Sequence, residues 1–201
     1  MQLILSLGIS YLLGSISFSY FIGKKVGNID IRQHGSGNAG ATNTLRVLGK
    51  GPAILVLVLD ALKGMIAMGI TNLLTDGDTI ATVFAGIFAI IGHNWPVFFG
   101  FRGGKGIATT LGVIFYLSPA AFLINAVISA AVVYATRYVS LGSLVFVTVA
   151  PLLLFYFSHA EVALLTFIVT VFAYIRHYEN IINLVQGKER KLGDKSNRNL
   201  R

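Results

Sequence analysis

Seven apolar stretches, at 2–22, 52–74, 80–98, 107–118, 119–136, 141–158 and 160–178, decide what this chain can fold into. An α-helix needs ~20 apolar residues to cross the hydrocarbon core of a bilayer, and most of these stretches come close. Inside a bilayer each backbone N–H and C=O must find its partner within the chain, so such stretches become helices. Charged residues make up 12% of the chain, where a soluble domain carries about 25%. The expectation is an all-α integral membrane protein, one transmembrane domain over 1–201. The chain contains no cysteine, which removes disulfides and thiolate chemistry from consideration. The first stretch lacks a basic leader and is followed by Lys24 and Lys25. That is the pattern of a retained helix with its N-terminus outside, not of a cleaved signal.

Residues 107–136 fit either one long tilted span or two short ones breaking at Ser118-Pro119. Proline removes a backbone donor there and restricts the residue before it. Charge decides between the two. With seven transmembrane helices and the N-terminus outside, the inner loops are 23–51, 99–106, 137–140 and 179–201. Together with Arg176 they hold fifteen of the sixteen basic residues, all but Lys63. The outer connections carry Asp76, Asp78 and Glu161 and no basic residue. Six spans would move Arg137 and the basic C-terminal end outside, against the positive-inside rule. The C-terminus is therefore cytoplasmic, with 188–201 expected as a basic tail, solvated or lying on the lipid. The net charge of +8 is accounted for by these loops and their attraction to anionic headgroups, without nucleic acid.

Three segments on this inner face could carry chemistry. Gly35-Ser36-Gly37-Asn38-Ala39-Gly40 spells a dinucleotide fingerprint, but no strand precedes it, and Asp60 falls inside an apolar span. Its physics still applies, because glycines let backbone N–H groups close around an anion. Ser36, Asn38, Thr42 and Asn43 add side-chain donors, and Arg46 adds a fork suited to phosphate. Alone, the segment reads equally well as a flexible loop.

In the second segment, Gly103-Gly104-Lys105-Gly106 resembles the end of a P-loop. Phe99 stands where the earlier glycine belongs, and Gly106 where Ser or Thr would hold magnesium, so a nucleotide hydrolase is excluded. What remains is a glycine-wrapped lysine at the start of a helix whose positive dipole end faces the same side. His93 reads as a structural hydrogen bonder or a substrate contact, and Trp95 as an interfacial anchor. In the third segment, Arg176, His177 and Asn180 fall within one helical turn.

Asp60 and Lys63, at i and i+3 within a span, are expected to pair. Ser140 and Ser143 beside the short inner loop could add hydroxyl donors. Glycines within the spans serve close helix packing. The sum is a cytoplasmic site for a small phosphorylated molecule at the lipid boundary. No nucleophile elbow, zinc motif or carboxylate cluster accompanies it, so no metal or cofactor is expected. A transporter or channel for a phosphorylated anion is the alternative, although it would need a polar path to the outer face.

GSGNAGATN (35–43), GHNWPVFFGFRGGKG (92–106) and RHYENIINL (176–184) resemble, in order and over essentially the whole chain, the three signature loops of one family. It is the bacterial acyl-phosphate:glycerol-3-phosphate acyltransferase (PlsY) family. The resemblance implies fatty acyl transfer from acyl phosphate to the 1-hydroxyl of sn-glycerol 3-phosphate, opening phospholipid biosynthesis. The products would be lysophosphatidic acid and phosphate. The implied setting is the bacterial cytoplasmic (plasma) membrane, with both substrates and membrane lipids as partners of a monomer.

It also implies roles. Ser36, Gly37, Asn38, Gly40, Thr42, Asn43 and Arg46 would bind phosphate groups, and Lys105, within Gly103, Gly104 and Gly106, would hold one. His177 and Asn180 would contact glycerol phosphate, with Ser140 or Ser143 assisting and His93 near the substrate. His177, Lys105, Arg46 and Asn180 form the expected catalytic set. Arg102 stands where the family commonly has lysine, which leaves its role open. The hydroxyl proton could go to His177, to His93 or to a substrate phosphate. The phosphate is preferred, because the loops offer donors and few acceptors.

Overall fold

The computed structural model describes residues 1–194, and helices are the only regular structure among them. The first apolar stretch is two helices, α1 (Gln2–Gly14) and α2 (Phe18–Gly27). A short helix α3 (Ala41–Leu48) then leads through Gly49 into the long α4 (Lys50–Leu74). Next come α5 (Thr79–Asn94), α6 (Ile107–Leu117), α7 (Pro119–Thr136), α8 (Val139–Phe157) and α9 (Ala160–Arg176). The last, α10 (Tyr178–Val185), bends away from α9 by 63°.

Five helical stretches are long and apolar enough to cross a bilayer: Gln2–Gly27, Lys50–Leu74, Thr79–Phe99, Pro119–Thr136 and Val139–Phe157. A sixth results when α9 and α10 count together. The stretch expected as the fourth span is different. Helix α6 has 11 residues; at 1.5 Å per residue it is about 17 Å long, roughly half the ~30 Å core. The proline break ahead of α7 is as expected. Ser118 accepts a hydrogen bond from the Ala121 N–H at 3.2 Å, and Pro119 takes the first-turn position that needs no donor.

Small residues let the helices close. A Cβ at Gly14 would collide with the Ala89 backbone, one at Gly92 with the Tyr11 carbonyl and one at Gly112 with the Ala61 backbone. Helix α1 thus seats on α5, and α6 on α4, at backbone contact distance. Met68, Val83, Ile90, Val113, Ile114, Phe146, Leu154 and Val169 fill the space between helices. Outward-facing residues such as Leu123, Val127, Leu152, Phe155 and Leu164 are apolar and exposed, as lipid contact demands.

Hydropathy misses the interruption at Ser15–Ser17, because two serines in an apolar run leave it apolar. Breaking a helix frees carbonyls that lipid cannot satisfy. One is answered from α4, where the Lys63 ammonium donates to the Ile16 carbonyl at 2.8 Å.

Candidate active site

The first glycine loop is built around Asn43, which is 1% exposed. Its Nδ2 donates to the carbonyls of Ile31 (3.1 Å) and His34 (2.9 Å), and its Oδ1 accepts from the Ser36 N–H at 2.8 Å. Both of its N–H groups are spent on the backbone, which corrects the expectation that Asn43 donates to phosphate: it shapes the loop. Gly35, at φ +66, must be glycine, since a Cβ there would strike the Asn43 amide. Arg32 pairs with Asp30 at 2.7 Å and donates to the Phe99 carbonyl at 2.9 Å, tying this loop to the second.

The second loop folds back on the end of α5, where the Gly104 N–H donates to the His93 carbonyl at 3.0 Å. Arg176 grips it from the other side, donating to the Gly104 carbonyl through Nε (3.1 Å) and Nη2 (2.8 Å). Its guanidinium lies 5.5 Å from the centre of the Trp95 ring, whose edge meets Phe172. Trp95 is therefore a platform for Arg176 in addition to any interfacial role. Lys105 extends away from the loop and donates to Oδ1 of Asn180.

The third segment does not continue as one helical face. The bend at His177 separates Arg176, turned to the second loop, from Asn180 on α10. His177 is 3% exposed, and its Nδ1 lies 2.8 Å from the Ala173 carbonyl. A carbonyl can only accept, so the proton sits on Nδ1 and Nε2 is left as an acceptor. Burial holds the Lys105 ammonium below the usual lysine range, against the opposing pull of Glu189 and Glu179. Arg46 is lowered by burial and by Arg190.

Glu189 is the residue that the sequence reading missed. Its Oε1 accepts from Asn180 Nδ2 (2.7 Å) and Ser140 Oγ (2.8 Å). The segment carrying it is fastened where the Leu192 N–H meets the Arg137 carbonyl (2.6 Å) and Arg137 returns a bond to the Leu192 carbonyl (2.7 Å). The segment 188–194 is thus tied beside the site through Glu189 and the Leu192 backbone, while its residues other than Glu189 stay exposed; 195–201, with Lys195, Arg198 and Arg201, lie outside the described residues. The one available signal was a single acid within Lys188-Glu189-Arg190-Lys191. Ser143 donates to its own helix at the Val139 carbonyl, 2.9 Å away.

These groups surround one cavity of about 680 Å³. Ser36, Asn38, Gly40, Thr42, Asn43 and Arg46 reach it from the first loop and α3; Lys105 and Gly106 from the second; His177, Asn180 and Glu189 from the third. Ser140 and Ser143 also line it, whereas Gly37, Gly103 and Gly104 are not among its lining residues. Asp60 and His93 also line it, and Leu57, Leu111, Phe122, Ala126 and Val133 make part of its lining apolar. A second cleft of about 1180 Å³ adjoins it between α3, α4 and residues 191–194, sharing Thr42, Arg46 and Leu57.

The His93 ring is 6% exposed, with Nδ1 3.0 Å from the Lys63 ammonium and 3.5 Å from Asp60 Oδ1. A cavity lined by cations, amides and apolar side chains together suits a ligand with an anionic head and a hydrocarbon chain.

A family model described as glycerol-3-phosphate acyltransferase matches residues 4–187. The chain is 57% identical over 192 residues to the glycerol-3-phosphate acyltransferase of Halalkalibacterium halodurans, covering 92% of this chain and 93% of that one. With that of Shouchella clausii the identity is 47% over 200 residues, covering 96% and 98%. Among solved structures, the glycerol 3-phosphate form of PlsY, an integral membrane glycerol 3-phosphate acyltransferase, superposes with a TM-score of 0.89 at 39% identity, covering 96% of each chain. Its lysophosphatidic acid form gives 0.88 over the same shares. On its sequence from end to end and on its helical architecture alike, the chain belongs to the glycerol-3-phosphate acyltransferase family.

Proposed function

We propose that this chain, as a glycerol-3-phosphate acyltransferase, takes its acyl group from acyl phosphate and delivers it to the 1-hydroxyl of glycerol 3-phosphate at the cytoplasmic face of the bacterial plasma membrane. The observation that carries this reading is the convergence of Arg46, Lys105, His177 and Asn180 on one cavity whose lining is partly apolar. The topology that goes with it has seven spans, α6 being a short one, with the N-terminus outside and the C-terminus inside. The whole of 1–201 acts as one domain and as a monomer, with membrane lipids around it.

Acyl phosphate is a mixed anhydride with a good leaving group, so no covalent enzyme intermediate is needed. The hydroxyl oxygen forms the new bond to the carbonyl carbon, the bond to phosphate breaks with its electron pair, and the hydroxyl proton ends on a phosphate oxygen. A phosphate monoester, with a second pKa near ~6, can take that proton near neutral pH. The bare Nε2 of His177 orients the hydroxyl by accepting its hydrogen bond. Arg46 and Lys105, with the first loop's Ser36, Gly37, Asn38, Gly40 and Thr42, hold the two phosphates side by side. Gly103, Gly104 and Gly106 set the lysine in place. Asn180, fixed by Lys105 and Glu189, completes the rim, with Ser140 and Ser143 beside it. Positioning of this kind accounts for much of the rate, since effective molarities of ~10⁵–10⁸ M are within reach of well-oriented reactants.

Purified protein given palmitoyl phosphate and glycerol 3-phosphate, without coenzyme A or added metal, is expected to yield lysophosphatidic acid and phosphate. Product formed only from acyl coenzyme A or an acylated carrier protein would overturn the choice of donor. Uptake of glycerol 3-phosphate into proteoliposomes without product would instead favour a transporter.

A further inference from the structure

Three ionisable groups lie almost wholly inside the helix bundle: Asp60 at 1% exposure, Lys63 at 3% and His93 at 6%. The Lys63 ammonium has three close neighbours, one ion-pair partner and two hydrogen-bond partners. They are Asp60 Oδ1 at 2.8 Å, the Ile16 carbonyl at 2.8 Å and His93 Nδ1 at 3.0 Å. An ammonium has three donors and no acceptor. Whatever meets it at Nδ1 must offer a lone pair, so a proton on that nitrogen would set two N–H groups against each other. Asp60 is the only other partner in reach of Nδ1 among the described residues, and at 3.5 Å it is the more distant. The imidazole proton is therefore fixed on Nε2.

Where Nε2 points is given by the second loop. A Cβ added to Gly104 would collide with it, and His93 is among the residues that line the catalytic cavity. Nε2 makes no hydrogen bond to any described residue.

We propose that His93 is a fixed hydrogen-bond donor in the floor of the cavity, its tautomer imposed by Lys63 and Asp60, and that it receives the acyl carbonyl oxygen as that oxygen takes up negative charge. The inference rests on the acyl transfer proposed above. A single neutral N–H in a partly apolar cavity suits a carbonyl oxygen, while the cations at the rim suit phosphate. Preorganised donors aimed at developing charge act strongly where water is excluded. His93 touches the reacting group and is catalytic; Lys63 and Asp60 act through it as positioning residues. Gly104 leaves the room that Nε2 needs.

The test begins with the wild-type protein in detergent, labelled with ¹⁵N-histidine. The four histidines are His34, His93, His159 and His177, and the His93 signals are those missing from His93→Phe. The expected result is a protonated Nε2 and a bare Nδ1. In the double variant Asp60→Asn with Lys63→Met, which leaves neither charge stranded, that tautomer preference is expected to weaken. In kinetics, His93→Phe is expected to lower kcat by about 10²–10³-fold with KM for glycerol 3-phosphate little changed. His93→Gln, whose amide N–H can stand in for Nε2–H, is expected to restore part of the loss. A proton on Nδ1 in the wild type, or wild-type kcat in His93→Phe, would overturn the proposal. Absence of acyl transfer from acyl phosphate in the wild type would instead overturn the reaction and leave the tautomer to be read on its own.

Discussion

His93 and His177 line the same cavity, and both are almost fully buried. Their surroundings give them opposite hydrogen-bonding character. At the floor, Lys63 occupies Nδ1 of His93 and leaves a donor at Nε2; at the rim, the Ala173 carbonyl binds the Nδ1 proton of His177 and leaves an acceptor. The lysines differ in the same way. Lys63 is surrounded by acceptors within the protein, whereas Lys105 is held by the neutral amide of Asn180, with carboxylates acting only from a distance. A charge fully answered inside the fold holds the fold in place. One left partly unanswered is available to a ligand.

Exchanging each lysine for methionine is the strongest way to break this comparison. Lys105→Met is expected to lower kcat/KM by about 10³-fold with its melting temperature nearly unchanged. Lys63→Met strands a carboxylate in the bundle and is expected to cost about 3–5 kcal/mol of stability, read as a large fall in melting temperature. The reverse pattern would mean that the floor and the rim have been confused.

The rim histidine comes next. His177→Phe removes the acceptor and is expected to lower kcat by about 10²-fold, while His177→Gln, which keeps a carbonyl oxygen, loses less. Equal losses in both would make the ring itself, not its acceptor, the important feature.

The acid–base behaviour of Lys105 gives a third, milder test. Substrate binding needs its charged form, and burial lowers its pKa. Activity is therefore expected to be lost as pH rises through a value below the ~10.4 of a free lysine. Lys105→Arg, which stays charged, is expected to abolish that alkaline limb whatever its effect on rate. A limb unmoved by the exchange would assign it to another group.

Ser140→Ala should have the smallest effect. It removes one hydrogen bond to Glu189, about 1 kcal/mol, and is expected to slow turnover a few-fold. A loss as large as that of Lys105→Met would promote Ser140 from rim support to substrate ligand.

The parts legible in the sequence were those written in local chemistry. Helical character followed from run length, the turn at Ser118-Pro119 from proline, and the Asp60–Lys63 pair from its i, i+3 spacing. What escaped depended on partners distant in the chain. His93 lies thirty residues from Lys63, and their meeting cannot be read from either segment alone. Asn43 is a polar residue in a glycine loop, and nothing local says that its amide is consumed by Ile31, His34 and Ser36. Glu189 sits in a basic stretch that reads as solvated until Asn180 and Ser140 are seen to hold it. The separation of α1 from α2 was hidden for a similar reason, since what compensates it comes from Lys63 on α4.

That borrowed compensation bears on how the molecule is assembled. The Ile16 carbonyl is answered by a lysine of the following span, so the backbone geometry between α1 and α2 is completed only when α4 packs beside it. A charge on one span thereby becomes a condition for the shape of another.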